Sequence, residues 1–204
     1  MKKYHCYSAD FDKETERLFR DAKFLGQGNN GVVYSLPDNK VIKLFYEEKV
    51  WNDEYDTLIR VKDSEYFPNV YKGGPLYIVR EMVNGIQLDK YIKSNGINEE
   101  IVANIYKLIN EFERLKFAKI DTRCKDLYIV SSDKIMVIDP KKCYKRNVNF
   151  PRHLMKGLLK YGVLDEFIFF MNNIDREKGR MWQEQFKKYW KKEKRKKRHK
   201  KHEY

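Results

Sequence analysis

The stretch LGQGNNGVVY, residues 25–34, sets Gly26, Gly28 and Gly31 among apolar, β-branched residues, and the lysine of VIK, Lys43, follows 12 residues after Gly31. Few local folds accept that spacing. Glycine permits a tight reversal, the flanking runs favour strands, and Pro37-Asp38 marks a second turn before the next apolar run. Residues 22–36 and 39–46 are therefore expected to be β-structure. Glycines without a Cβ let backbone N–H groups come close to an anion such as a phosphate, although a plain hairpin turn uses the same residues. Lys43, on the following strand, would project a point charge toward the same place, and an acidic residue would be needed to hold it.

The rest of the chain alternates between the two periodicities. FDKETERLFRDA, within residues 1–22, is compatible with a helix. Residues 47–62 repeat Val50, Tyr55, Leu58 and Val61 as a short amphipathic helix would. After Pro68 come two strand-like pieces, NVYKG and LYIVREMV, and Asn84-Gly85 then breaks the chain. The strongest helical pattern is residues 97–117, with Ile101, Ile105, Leu108, Ile109, Phe112 and Leu115 on one face and acidic residues in the first turn. LYIV and KIMVID, joined by Ser131-Ser132-Asp133, read as a small hairpin. A basic loop, KKCYKRNVNF, separates it from helical regions at 151–172 and about 176–200. Strands with one helix, followed mainly by helices, make an α+β chain. The expected divisions are an N-terminal extension (1–21), a β-rich part with one helix (22–83), a helical part (84–180) and a basic helix and tail (181–204).

Composition excludes several classes. No apolar run approaches the roughly 20 residues of a membrane-spanning helix, and the N-terminus lacks the apolar segment of a secretory leader, so no membrane partner is expected. Cys6, Cys124 and Cys143 lack metal-ligand spacing and are expected to be thiols in a reducing cytoplasm. The net charge of +13 is concentrated at one end. Residues 187–204 hold 11 Lys/Arg and two Glu, leaving only +4 for the rest. Such a run is either a solvated end or a surface for nucleic acid or an acidic partner, centred on 187–201 and without sequence specificity. Trp182, Phe186, Tyr189 and Trp190, at helical spacings just upstream, are expected to dock the last helix; stacking on bases is the alternative reading.

The glycine turn, the lysine and the order of later carboxylates resemble the protein kinase superfamily, closest to short bacterial-type Ser/Thr kinases and the small Rio-type atypical kinases. The resemblance covers roughly residues 22–175. It implies a two-lobed kinase-like fold with a reduced C-terminal lobe that uses ATP and Mg²⁺. Gly26, Gly28, Gly31, Val33 and Lys43 would hold the nucleotide, with Glu54 gripping Lys43. LYIVREMVNG is similar to the segment that joins the lobes, with Arg80 as gatekeeper and Glu81, Met82 and Val83 as the hinge that meets adenine. Asp121 would be the catalytic carboxylate, Arg123 a neutraliser of the transferred phosphate, and Asp126 and Asp139 the metal ligands.

The chain departs from the family pattern at several points. Lys119-Ile120 replaces the His-Arg before the catalytic Asp, Asp126 stands at the Asn position, and Asp139-Pro140-Lys141 replaces Asp-Phe-Gly. An aspartate is still a hard oxygen ligand suited to Mg²⁺. About 65 residues follow Asp139, and no APE-like motif appears among them. The leading expectation is a small kinase acting on a protein hydroxyl. The alternatives are a catalytically weak kinase-like scaffold that binds a partner or nucleic acid through its basic tail, and a small-molecule kinase.

Overall fold

The computed structural model describes residues 9–140 and 142–201, with side chains described as far as Lys196. Cys6 and Lys141 lie outside the described residues. The fold is α+β, and the chain forms two compact units. Unit 1 comprises residues 1–84 and 136–142; unit 2 comprises residues 85–135 and 143–204.

Unit 1 is built on a five-stranded antiparallel sheet. Its strands are β1 (Lys23–Gly28), β2 (Gly31–Leu36), β3 (Lys40–Phe45), β4 (Val70–Gly74) and β5 (Tyr77–Glu81), in the order β1-β2-β3-β5-β4. Strand alternation explains the layering. Ile42 and Leu44 of β3 join Leu36, Tyr77 and Val79 in a core on one face. Helix α1 (Lys13–Phe19) and its flanks cover that core with Phe11, Leu18, Phe19 and Ala22. Asp12 caps α1 by accepting a hydrogen bond from the Thr15 N–H at 2.9 Å, and Phe11 meets the Tyr77 ring edge-on at 5.1 Å. Val41, Lys43 and Phe45 alternate to the other face and are also buried. Helix α2 (Glu48–Arg60) buries Glu54, Thr57 and Leu58, and its Trp51 indole donates to the Tyr77 carbonyl at 3.0 Å.

Unit 2 is mainly helical. Its elements include α3 (Leu88–Asn95), α4 (Glu99–Arg114), α5 (Arg152–Lys160), α6 (Leu164–Ile174) and α7 (Arg176–Lys201). A small sheet runs β6 (Ile86–Gln87), β7 (Leu127–Ser131) and β8 (Lys134–Val137) in that order, and the chain passes back to unit 1 within β8. Asn98 caps α4 through the Ile101 N–H at 3.0 Å, and α4 buries Ile101, Ile105, Leu108, Ile109 and Phe112 as its periodicity predicts. The helical region at 151–172 is two helices rather than one. Gly162, with φ of 76°, turns the chain between them where an ordinary residue would be strained. Trp182 and Phe186 are buried, Trp182 stacks on Phe167 at 6.4 Å, and α7 is thereby docked. Among the described residues no helix is long and apolar enough to cross a membrane.

Candidate functional site

In unit 1, the register of β3 against β2 and β5 fixes Lys43 between Val33 and Ile78. Its ammonium meets both oxygens of Glu54, at 2.8 and 2.6 Å, and lies 3.5 Å from Asp139 Oδ1. Only 2% of Glu54 is exposed. Burial pushes its carboxyl up to about 7; Lys43 opposes the shift and Asp139 adds to it. Asp139 keeps 19% of its side chain exposed, so a charged group at this cluster still meets solvent.

The three glycines of the hairpin serve different needs. A Cβ at Gly31 would lie 1.9 Å from the Leu44 carbonyl oxygen, so close packing of β2 on β3 requires glycine there. A Cβ at Gly26 or Gly28 would meet nothing within 4 Å, and both residues border open space. Val33 is half-buried on β2. In the segment expected to be a hinge, the Glu81 N–H donates to the Asn69 carbonyl at 2.8 Å and the Met82 N–H to the Asn39 carbonyl at 2.9 Å. Glu81 Oε2 accepts from the Asn69 side chain at 3.2 Å, and Arg80 is buried with its guanidinium donating to the Glu81 carbonyl at 3.0 Å. Val83, the last of the residues expected to meet adenine, is half-buried.

Unit 2 holds the second group of carboxylates. The Asp121 side chain is wholly buried. Its Oδ1 accepts the His153 backbone N–H at 2.9 Å, Oδ2 faces His153 Nδ1, and Arg152 Nε stands 3.7 Å from Oδ2. Arg123 is exposed and leads into a 3-10 turn, Cys124–Asp126, which buries Asp126. Burial holds the Lys119 ammonium below its ordinary pKa. It also pushes the Cys124 thiol up to about 12, which makes this cysteine a packing residue rather than a nucleophile. Cys124 and Cys143 are both buried and neither forms a disulfide.

His153 and Arg152 did not emerge from the sequence pattern. They lie 32 and 31 residues beyond Asp121, at the start of α5, after a loop without periodicity. The one local signal was PRH at a helix start, with a histidine in a chain that has only four.

Unit 1 thus offers a held ammonium, a partly exposed carboxylate and an open glycine turn, which suit a phosphate chain and a hard cation. Magnesium characteristically takes one or two protein carboxylates and completes its shell with water and phosphate oxygens. The residues present fit Mg–ATP on those grounds. In comparisons with known proteins, no family model matches the sequence, and none of the curated proteins matches it significantly.

Proposed function

We propose that this chain is an ATP- and Mg²⁺-dependent phosphotransferase with a kinase-like fold, and that it acts as a small Ser/Thr-type protein kinase in the cytoplasm. One observation carries the reading. A buried lysine on the third strand is gripped by both oxygens of a helix glutamate and lies 3.5 Å from a later aspartate, behind a glycine hairpin. Burying that pair costs desolvation, and a hydrophobic pair would often serve stability as well or better. Its retention therefore fits a positioned cation with work to do.

In this reading unit 1 handles the nucleotide. Lys43 and the backbone around Gly26 and Gly28 hold phosphates, Val33 covers the base, and Val83 supplies the hinge contact. Asp139, beside Lys43 in unit 1, would hold Mg²⁺, which offsets the charge on the phosphate oxygens when bound. Asp121 in unit 2 orients the acceptor hydroxyl and takes its proton, and Arg123 offers positive charge. Phosphoryl transfer asks mainly for positioning and electrostatics, so no further covalent group is required. The buried thiols suit a reducing compartment.

The test is Mg²⁺-dependent transfer of labelled γ-phosphate by the purified chain, to itself or to protein acceptors. Lys43→Met and Asp139→Asn should each lower the rate by 100-fold or more while the circular dichroism spectrum stays native. Wild-type rates in both variants would sink the proposal.

The buried Asp121 carboxylate favours the scaffold reading as a second one, because His153 and Arg152 already occupy it. A scaffold predicts nucleotide binding without transfer under any acceptor tried.

A further inference from the structure

Beside Asp121, within unit 2, lies a cavity of about 450 Å³. One wall is the segment of Asn149, Phe150 and Arg152. The other is a single face of α7, with Gln185, Lys188, Tyr189, Lys192, Glu193 and Lys196. Those six positions recur at steps of three and four, so they share one side of the helix. Lys188, Lys192 and Lys196 climb it at i, i+4 and i+8, about 6 Å apart per step at 1.5 Å rise per residue. All three are exposed. Arg152 lies over the Tyr189 ring at 5.8 Å and is the residue whose guanidinium approaches Asp121.

We infer that this cavity recognises the acceptor, and that the acceptor is an acidic segment of protein chain whose Asp, Glu or phosphorylated residues flank the hydroxyl. The inference rests on the phosphotransferase reading for the word acceptor, and on the cavity alone for its chemistry. Four cations line it against the one carboxylate of Glu193, which pairs with Lys196 at 3.8 Å. Alternate residues of an extended peptide point the same way about 6.6 Å apart, close to the lysine spacing. One group favours a peptide over a nucleic acid strand: Glu193 places a carboxylate in the groove, which the N–H groups along a peptide backbone can meet and a DNA sugar-phosphate backbone, having no donor, cannot.

Arg152 gives the site its link to the chemistry. A substrate carboxylate that engages this guanidinium competes with Asp121 for it, so the right acceptor loosens one of the groups that cover the base. Arg152 is here a positioning residue.

The experiment uses the full chain and fluorescein-labelled peptides of equal length, each with a single serine in an acidic, neutral or basic context. Anisotropy without nucleotide measures binding; labelled ATP then measures transfer. Lys188→Glu/Lys192→Glu reverses two exposed groove charges, and Lys90→Glu/Lys107→Glu makes the same change of net charge on α3 and α4. The expected result is acidic-peptide binding at least 10-fold tighter than neutral. The groove variant should lose at least 10-fold and the control variant less than 3-fold, with equal thermal melts.

Equal loss in the two variants, or equal binding of acidic and neutral peptides, overturns the inference. So does a single-stranded oligonucleotide of matched charge that displaces the peptide and prefers the groove. Transfer that proceeds as well onto neutral or basic peptides overturns the groove as acceptor site and leaves the phosphotransferase reading intact. Groove-dependent binding with no transfer to any peptide sinks the phosphotransferase reading and, with it, the acceptor role.

Discussion

Glu54 brings a carboxylate to a place where water hardly reaches, and the consequence is a pH dependence with a definite sign. Its carboxyl titrates near 7 in the folded chain and at its ordinary 4.5 when unfolded. The folded state therefore holds a proton that the unfolded state has released between those values. Stability falls as pH rises through that window, and the loss is complete above 7. At about 1.4 kcal/mol per pH unit, over the window from 4.5 to about 7, the upper bound is about 3–4 kcal/mol. The groups facing Glu54 are Lys43, Asp139 and Arg80. Glu54→Gln removes the titration. Urea unfolding at pH 4.5, 5.5, 6.5 and 7.5 should show the wild type losing ground steadily against the variant, and parallel lines would refute it. Ionised Glu54 is also the form that holds Lys43 as an ion pair, so the proposed phosphotransfer should rise over the same range in which stability declines.

Elements transmit these residue choices through packing, and α7 is the clearest case. Trp182 is fully buried and stacks on Phe167 of α6, with Phe186 buried one turn further on. Trp182→Ala leaves a cavity no neighbour can refill, for which a cost of about 3–5 kcal/mol is expected, a large share of the 5–15 kcal/mol that ordinarily holds a domain together. Chemical denaturation should show that drop, whereas Lys191→Ala, exposed on the same helix, should change stability by less than about 0.5 kcal/mol. The docking of α7 was legible in the sequence because it rests on helical spacing of large apolar residues. So were β2, β3 and α4, whose periodicities run long enough to declare themselves. Helix α3 was not: it has eight residues and buries only Leu88 and Ile92, too short a pattern to stand out after Asn84-Gly85. The Lys43–Glu54 pair could be anticipated only through the kinase resemblance, since Glu47, Glu48 and Asp53 are carboxylates just as near in the chain. The pairing of Asp121 with His153 depends on an aperiodic loop of tertiary origin, and no local rule reports it. Of the three glycines, sequence alone could not separate Gly31, required by the Leu44 carbonyl, from Gly26 and Gly28, which face open space.

Across the whole molecule the charge is lopsided, and that lets two kinds of anion binding be told apart. Residues 197–204 contain Lys197, Arg198, Lys200 and Lys201 against Glu203, whereas the groove cations end at Lys196. Truncation after Lys196 leaves the docking aromatics and every groove residue in place. Binding of single-stranded nucleic acid gains from released counterions in proportion to the cations engaged, with a salt slope of about 0.7 per phosphate neutralised. Removing four cations should therefore flatten the slope of log K against log salt by up to about 3. The preference for an acidic over a neutral peptide should survive, since it is set by Arg152, Lys188 and Lys192, and the thermal melt should not move. A truncated chain that keeps the full salt slope would place nucleic-acid affinity in the body of the protein. One that loses acidic-peptide preference together with the slope would make the groove part of a single diffuse basic surface. The two measurements on one variant thus decide whether the +13 is used as a field or as a site.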